Sequence, residues 1–564
     1  MTTPSHTLHA VRRHPQRAAT VVLLLLTLWQ LPGVMFGLDL CDTGFYLTFY
    51  DHIFSAPASV EYNFMYYLSG VAGGALQTLW PSGGLLWMRL AGLAAVMFSI
   101  IITWRALRPL LPVGSLTLGM AMMVASLGQL PYTFNNDLLT LALYAPALAL
   151  MLRGLLHRRL APLALAGMLL GVNVFSRIPN VLALSLVAAP LLARLYVAAP
   201  WRVTWRQCAA MAAGAAAGVA AVLALMALLG HLHIFTGHLR TLLDIASGSA
   251  GVASHNASAL LTAPLIFYAR CLGTAAKFAV LLLAVAGARR TPWRWLHIAV
   301  TAAAAAAAVW IMLRQPMLQP LWVMCLAGCA WTIARGNPSL RVAAWLALAM
   351  LLVFPLGSDG ATNNGAIIAL WAAPVAARLW RRPGWVWLAV ALLLTGACRT
   401  VTRGAYFDGT PLWNKTATVA SPHLRGVLTE PARASVVNHA LEGLQRQVAP
   451  GDTLLCFGSI PMMNHLTATR PAMGCSWPEL LSTRMLVERL ALLDASRPPV
   501  LRQKFDTLGD TWSEPNPNYL TRYPHPDKFR QQDKLNALCT YLRRNQYTEV
   551  WHDDHFVLYR APRR

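Results

Sequence analysis

The chain has 564 residues, of which 56% are hydrophobic and only 12% charged, whereas ordinary soluble domains are about 25% charged. Its formal net charge of +24 would suit a nucleic-acid-binding protein, but the arginines flank apolar segments instead of clustering on a soluble module. Basic residues beside apolar segments are typical of cytoplasmic loops in membrane proteins. Composition therefore argues against a nucleic-acid partner and predicts a multi-span helical protein in contact with membrane lipids.

Apolar segments follow one another from about Ala18 to about Cys398, and segments of roughly 15 to 22 residues can cross a bilayer. We predict an all-α domain of about 11–13 transmembrane helices followed by a small α/β domain. The predicted limits are a cytoplasmic basic tail at 1–17, a transmembrane domain at 18–398 and an extracytoplasmic domain at 399–564. The first apolar segment has no small-residue cleavage site after it, which favours an uncleaved anchor.

Charge also predicts the sidedness of the membrane domain. If the arginine-rich ends of the apolar segments face the cytoplasm, the N-terminus lies there too, and the C-terminal domain lies outside a bacterial inner (plasma) membrane. All acidic residues before position 399 then lie on the outer side: Asp39, Asp42, Asp51, Glu61, Asp137, Asp244 and Asp359. Acids are rare in membrane domains and collect in loops, yet the inner loops are polar and contain none. We therefore expect an outward-facing acidic site.

The stretch Gly37–Tyr46 opens a predicted outer loop at 37–82 and carries Asp39 and Asp42, three residues apart. A carboxylate here can act as a general base towards an acceptor hydroxyl, or supply oxygen ligands to a divalent metal. The structural alternative is that Asp42 caps a helix lying in the membrane interface over residues 45–54. Because a capping role would occupy Asp42, Asp39 is favoured as the base.

Three further groups of polar residues face the same predicted side. Asn136 and Asp137 follow the third apolar segment, and they either bind substrate or cap the next helix. Arg177, in a turn at 176–180, either binds a donor phosphate or anchors the chain to lipid headgroups. The Gly-rich loop at 357–365 either contacts a sugar or pyrophosphate or is a simple turn; its candidate residues are Asp359, Asn363 and Asn364.

Histidines in a predicted polar loop at 231–258 lack the spacing of a zinc site. The tail alternates predicted helices, at 440–448, 478–493 and 535–545, with a strand at 452–458 and a closing hairpin at 548–551 and 555–559. Outside the cytoplasm, Cys456 and Cys475 could pair as a disulfide or stay as thiols. The tail has no phosphate-binding glycine loop and no nucleophile motif, so we expect catalysis to reside in the membrane domain.

Together these features resemble the GT-C superfamily of membrane glycosyltransferases, which includes protein O-mannosyltransferases and lipid A aminoarabinose transferases. The resemblance rests on Asp-x-x-Asp in the first outer loop, the Asn/Asp cluster at 135–137, the Arg-x-Pro turn at Arg177, the outer C-terminal domain and the segments 453–458 and 466–471. It implies a polyprenyl-phosphate sugar donor and an inverting transfer outside the cytoplasm, with Asp39 or Asp42 as base. The pair differs from the adjacent Asp-Glu of the mannosyltransferases, so a divalent metal stays an open alternative.

The leading hypothesis is therefore a glycosyltransferase that moves a sugar from a polyprenyl-phosphate-linked donor to an envelope acceptor. In it, Asp137 orients the acceptor or a metal, and Arg177 holds the donor phosphate. Two other classes remain: a transporter or flippase of a lipid-linked glycan, and a structural subunit of an envelope complex. Buried charges within the spans would favour a transporter, whereas the acids here lie in the outer loops.

Overall fold

The computed structural model describes residues 15–127, 132–247, 257–314, 318–356, 365–377, 408–504 and 530–562, with short stretches at 393–395, 398 and 401–402. The described chain is mostly helical and carries one five-stranded sheet near its C-terminus. The predicted fold class, a polytopic helical domain followed by a small α/β region, is confirmed.

The α-helices up to the C-terminal region are α1 Pro15–Met35, α2 Asp42–His52, α3 Tyr67–Leu79, α4 Gly84–Leu107, α5 Val113–Leu127, α6 Asn136–His157, α7 Leu160–Asn173, α8 Ala189–Arg194, α9 Trp201–Leu228, α10 Leu232–Ser247, α11 Ala257–Ala288, α12 Arg294–Arg314, α13 Leu318–Arg335, α14 Pro338–Val353 and α15 Gly365–Ala376. Short 3₁₀ helices at Pro57–Tyr66, Pro81–Gly83 and Ile178–Ala188 connect some of them.

Within the described residues, five helical stretches are long and apolar enough to cross a membrane. They are Pro81–Leu107, Asn136–His157, Trp201–Leu228, Thr262–Ala288 and Arg294–Arg314. Shorter apolar helices, such as α7 and α14, lie beside them. The chain is thus a multi-pass membrane protein, while the total of about 11–13 spans stays a prediction.

Close helix packing in the membrane domain depends on glycine. A Cβ atom on Gly167 of α7 would lie 2.0 Å from the carbonyl oxygen of Met211 in α9, and one on Gly214 of α9 would lie 1.9 Å from the carbonyl oxygen of Ala164. Only residues without a side chain let two helix backbones approach this closely. Helices α7 and α9 therefore pack closely at these glycines.

Two predicted loops are helical. The outer loop at 37–82 contains α2, a 3₁₀ helix and α3, so the expected interfacial helix exists but begins three residues earlier, at Asp42. The prediction of a polar loop at 231–258 is wrong for residues 232–247, which form helix α10. Its apolar residues Leu232, Phe235, Leu239, Leu242 and Ala246 alternate with polar residues at helical spacing. That alternation produces an amphipathic helix.

The C-terminal region combines helices with a mixed sheet in the order β2-β1-β3-β5-β4. Strands β1, β2 and β3 are parallel, and β5 pairs antiparallel with both β3 and β4. The predicted first strand and closing hairpin are confirmed, whereas β3 was not predicted. The elements are α16 Pro431–Gln445, β1 Thr453–Phe457, α17 Met462–Leu466, β2 Arg470–Pro471, α18 Thr483–Leu492, β3 Val500–Gln503, α19 Arg530–Arg544, β4 Thr548–His552 and β5 Phe556–Arg560, with 3₁₀ turns at Leu412–Asn414, Pro422–Leu424 and Pro478–Leu480.

This region shares a hydrophobic core with the part of the membrane domain around α2. Phe45 and Phe49 of α2 belong to the same buried cluster as Val437 of α16, Phe457 of β1 and Met462 of α17. Helix α2 is therefore enclosed between the membrane helices and the C-terminal region instead of lying open on a bilayer surface.

Candidate functional site

The stretch Gly37–Tyr46 turns from α1 into α2, and Asp39 stabilises that turn. Its Oδ1 accepts the backbone N–H of Cys41 and its Oδ2 accepts that of Thr43, both at 2.7 Å. Asp39 is only 2% exposed, and this burial raises the pKa of its carboxyl group, although the two N–H bonds oppose the rise. Asp39 thus satisfies amide groups that a helix start would otherwise leave unpaired.

Asp42 is the first residue of α2 and is half-buried. The residue before it, Cys41, forms no side-chain capping bond. The carboxylate that bonds the amides of Cys41 and Thr43 belongs to Asp39, and which of the two carboxylates is the base stays a prediction. A carboxylate in the first helical turn is nevertheless stabilised by the positive end of the helix dipole.

Tyr46 joins the first turn of α2 to the first turn of α6. Its hydroxyl donates a 2.6 Å hydrogen bond to Oδ1 of Asn136, whose Nδ2 lies 3.4 Å from Oδ1 of Asp137. Burial raises the pKa of Tyr46 well above its usual value, and the negative charges of Asp137 and Asp42 add to the rise. The charges of two predicted carboxylates, Asp42 and Asp137, therefore both act on this phenol.

Arg177 lies between Asp137 and the end of α14. One guanidinium nitrogen is 3.3 Å from Oδ1 of Asp137, and the other donates to the carbonyl oxygens of Phe354 at 3.2 Å and Leu356 at 3.3 Å. The guanidinium carbon also lies 4.8 Å from the centre of the Phe354 ring. At 5% exposure, against 22% for Asp137, Arg177 is buried in these contacts; binding of a donor phosphate stays a prediction.

The predicted loop residues Asp359, Asn363 and Asn364 lie outside the described residues. The described chain stops at Leu356, whose carbonyl oxygen is bound to Arg177. The point at which this loop leaves α14 is therefore at the candidate site.

Asp51 and Glu61, two other acids expected at this side, contact the C-terminal region instead. The Oδ2 atom of Asp51 lies 2.6 Å from Nδ1 of His465, and Glu61 pairs with Arg489. Both acids hold the C-terminal region against the membrane domain and lie apart from the cluster around Tyr46.

Metal ligands and disulfides can be examined only in the described ranges. There, no group of three or more His, Cys, Asp and Glu side chains is arranged to hold a metal ion. Cys456 and Cys475 are both buried free thiols, so the disulfide considered for them is not formed.

Sequence reasoning did not single out Tyr46 as a site residue. The signal was present, because Tyr46 follows Asp42 by four residues and residues four apart share one face of a helix.

We expect Tyr46→Phe to lower kcat about 10-fold, since it removes one hydrogen bond that orients Asn136. The raised pKa keeps the phenol protonated at neutral pH, so Tyr46 serves as a donor and not as a base. The pH dependence of kcat should therefore have the same shape in the variant and the wild type. Measuring kcat between pH 5 and 9 checks this, and loss of one limb of the profile in Tyr46→Phe would contradict it.

No protein-family model and no curated protein matches the chain. Among solved structures, the chain is similar to ArnT from Cupriavidus metallidurans, crystallised with undecaprenyl phosphate, at 13% identity and a TM-score of 0.48 over 96% of this chain and 97% of that one. It is also similar to the arabinosyltransferase EmbB from Mycobacterium smegmatis, at 15% identity and a TM-score of 0.32 over 70% of this chain and 42% of that one. Because both TM-scores are below 0.5, the functional argument rests on the residues of this chain.

Proposed function

We propose that the protein is a membrane glycosyltransferase that transfers a sugar from a polyprenyl-phosphate-linked donor to an envelope acceptor. The observation that carries the proposal is the grouping of Asp42, Tyr46, Asp137 and Arg177 at one end of a helical membrane domain, where the starts of α2 and α6 meet. Two carboxylates and a cation beside a phenol form a site for proton transfer next to a charged leaving group.

In the proposed reaction, Asp42 accepts the proton of the acceptor hydroxyl. The hydroxyl oxygen forms a bond to the anomeric carbon of the sugar while the bond from that carbon to the phosphate oxygen breaks. The polyprenyl phosphate leaves with the electron pair of the broken bond. Attack from the face opposite the leaving group inverts the anomeric centre.

Asp42 suits the base role better than Asp39 does. Both oxygens of Asp39 already accept backbone N–H groups and the side chain is buried, so an acceptor hydroxyl has little access to it. Asp42 is half-buried at the start of the helix and lies on the same helix face as Tyr46. Asp137, held by Arg177, is suited to orient the acceptor.

The membrane setting fits a lipid-linked donor and also sets the proposed sidedness. The site lies at the helix ends that carry acids, opposite the ends that carry Arg105, Arg158 and Arg194. With the arginine-rich ends in the cytoplasm, the site and the C-terminal region face the outer side of a bacterial inner membrane.

The test is transfer in vitro by the full chain in detergent or liposomes. A panel of polyprenyl-phosphate sugars, each carrying a radiolabelled sugar, is offered with isolated envelope glycolipids and polysaccharides as acceptors. Labelled product, dependent on the protein, supports the proposal. No product from any donor, together with protein-dependent movement of an intact lipid-linked glycan across the bilayer, would replace it with the transporter class.

Arg177→Lys distinguishes two roles of Arg177, positioning of Asp137 and binding of the donor phosphate. Lysine keeps the charge but cannot contact Asp137, Phe354 and Leu356 together, because it lacks the planar guanidinium. We expect kcat to fall about 10- to 100-fold with the KM for the lipid donor within about threefold, as for a group that positions Asp137. A raised donor KM with unchanged kcat would instead show that Arg177 binds the donor phosphate.

A further inference from the structure

Backbone groups of residues 35–40, which lead into α2, are hydrogen-bonded to the C-terminal region. The N–H of Gly37 donates to the carbonyl oxygen of Leu428 at 2.8 Å, and the N–H of Leu428 donates to that of Met35 at 2.8 Å. Three residues further on, the carbonyl oxygen of Leu40 accepts the N–H of Met462 at 3.0 Å. Two residues after Leu40, the chain reaches the proposed base.

Between these points, a buried group of charges holds Leu38. Its N–H donates to Oδ2 of Asp408 at 2.7 Å, and its carbonyl oxygen accepts Nη1 of Arg433 at 3.0 Å. Asp408 in turn accepts from Nζ of Lys415 and from the hydroxyl of Thr429. The side chains of Asp408 and Lys415 are fully buried and that of Arg433 is 2% exposed. In this group, Asp408 and Arg433 bond to Leu38. Lys415 and Thr429 bond to Asp408.

Helix α2 itself contacts the C-terminal region over its first two turns. A Cβ atom on Gly44 would lie 2.1 Å from the backbone nitrogen of Met462. The hydroxyl of Thr48 donates to the carbonyl oxygen of Pro461 at 3.0 Å. The start of α2 therefore sits directly against the residues that open α17.

From these contacts we infer that Asp408 and Arg433 are positioning residues of the C-terminal region that fix where Asp42 lies relative to Asp137. The inference rests on the proposed function for its catalytic meaning. Neither residue belongs to the group around Tyr46, and both act through Leu38, four residues before Asp42. A displacement of about 1 Å of a reacting group can cost about 100-fold in rate. The C-terminal region, which has no catalytic group of its own, therefore sets the rate of transfer by holding Asp42 in place.

The test compares Arg433→Met with Thr429→Val in the full-length protein. Arg433→Met removes the bond to Leu38 but leaves the Asp408–Lys415 pair, and Thr429→Val removes a hydrogen bond of the same buried group that does not involve Leu38. Hydrogen–deuterium exchange of a peptide covering 37–45 reports the amides of the turn, and steady-state transfer kinetics report the site. Melting in detergent confirms that both variants are folded.

Arg433→Met is expected to speed exchange in this peptide and to lower kcat about 10- to 100-fold, with both KM values within about threefold. Thr429→Val should leave both readouts near wild type, and Arg433→Lys should recover part of kcat. Unchanged exchange in Arg433→Met, or an equal loss in Thr429→Val, would overturn the inference. If the wild type transfers no sugar, the proposed function fails, while the exchange comparison still decides whether the C-terminal region holds the turn.

Discussion

Asp42→Asn is expected to lower kcat about 1,000-fold while the protein remains folded and inserted. A positioned general base contributes about 100- to 10,000-fold to a rate, and the amide of asparagine cannot accept the proton of the acceptor hydroxyl. The substitution preserves the size of a half-buried side chain at the start of α2, so expression and the melting temperature in detergent should change little. Transfer rates with saturating donor and acceptor measure the effect.

Asp51→Asn is the matched control, because Asp51 is a carboxylate of the same helix that faces His465 instead of Tyr46. Its kcat should stay within about threefold of wild type, since asparagine can still accept a hydrogen bond from the imidazole. Asp39→Asn tests the other carboxylate of the pair. If Asp39→Asn abolished transfer in a folded protein and Asp42→Asn did not, the base would be Asp39.

Features that depend on local interactions could be predicted from the sequence, whereas features that depend on long-range contacts could not. Hydrophobic periodicity is local, so the limits of β1, predicted at 452–458, lie within one residue of those observed. The side of the membrane on which the acidic site lies was predicted from the distribution of charge along the chain and stays a prediction. The amphipathic helix α10 was missed because its polar face was interpreted as a loop, although its apolar residues recur at helical spacing.

Which of Asp39 and Asp42 bonds the amides at the start of α2 could not be predicted, because it depends on backbone geometry. Both residues precede the helix predicted over 45–54, in a pattern that allows either to cap it. Only the turn at Gly37, where φ is 96°, directs Asp39 towards the amides of Cys41 and Thr43. A positive φ of this kind is accessible mainly to glycine, and a sequence does not show which glycine adopts it.

The role of the C-terminal region in holding the turn before α2 could not be predicted from the sequence either. Asp408 lies 370 residues from Leu38, to which it is bonded, and no local pattern links positions so far apart. Polar residues such as Lys415 and Arg433 look like ordinary surface groups in the sequence, since lysine and arginine are almost never fully buried unless paired. Their burial became evident only when the turn before α2 and the C-terminal region were placed together.

The largest expected loss of stability comes from Asp408→Asn. Lys415 and Arg433 would stay buried without the carboxylate that faces both of them. Removing one partner of a buried ion pair costs about 3–5 kcal/mol, because the remaining charge is neither hydrated nor paired. Chemical unfolding in detergent, followed by the fluorescence of the C-terminal tryptophans, should show this decrease in the free energy of unfolding.

The double variant Asp408→Asn/Lys415→Met provides the control. It removes Lys415, one of the two cations left buried without a carboxylate, so it should be more stable than Asp408→Asn alone. The effects of the two single substitutions on the free energy of unfolding should not add. Acidification gives an independent check. Burial would raise the pKa of Asp408, but Arg433 and Lys415 hold it below its usual value. A carboxyl group with a lowered pKa contributes stability that is present above its unfolded pKa of about 3.9 and lost as the pH falls below it.

Wild-type stability should therefore fall below about pH 4 more steeply than that of Asp408→Asn. The raised pKa of Asp39 acts in the opposite direction, because burial favours its protonated form, but it is common to both proteins and cancels in the difference between them. The difference in free energy of unfolding between wild type and Asp408→Asn should shrink as the pH falls from 6 towards 3. A difference that is constant over this range, with additive effects in the double variant, would mean that Asp408 contributes by shape and not by charge.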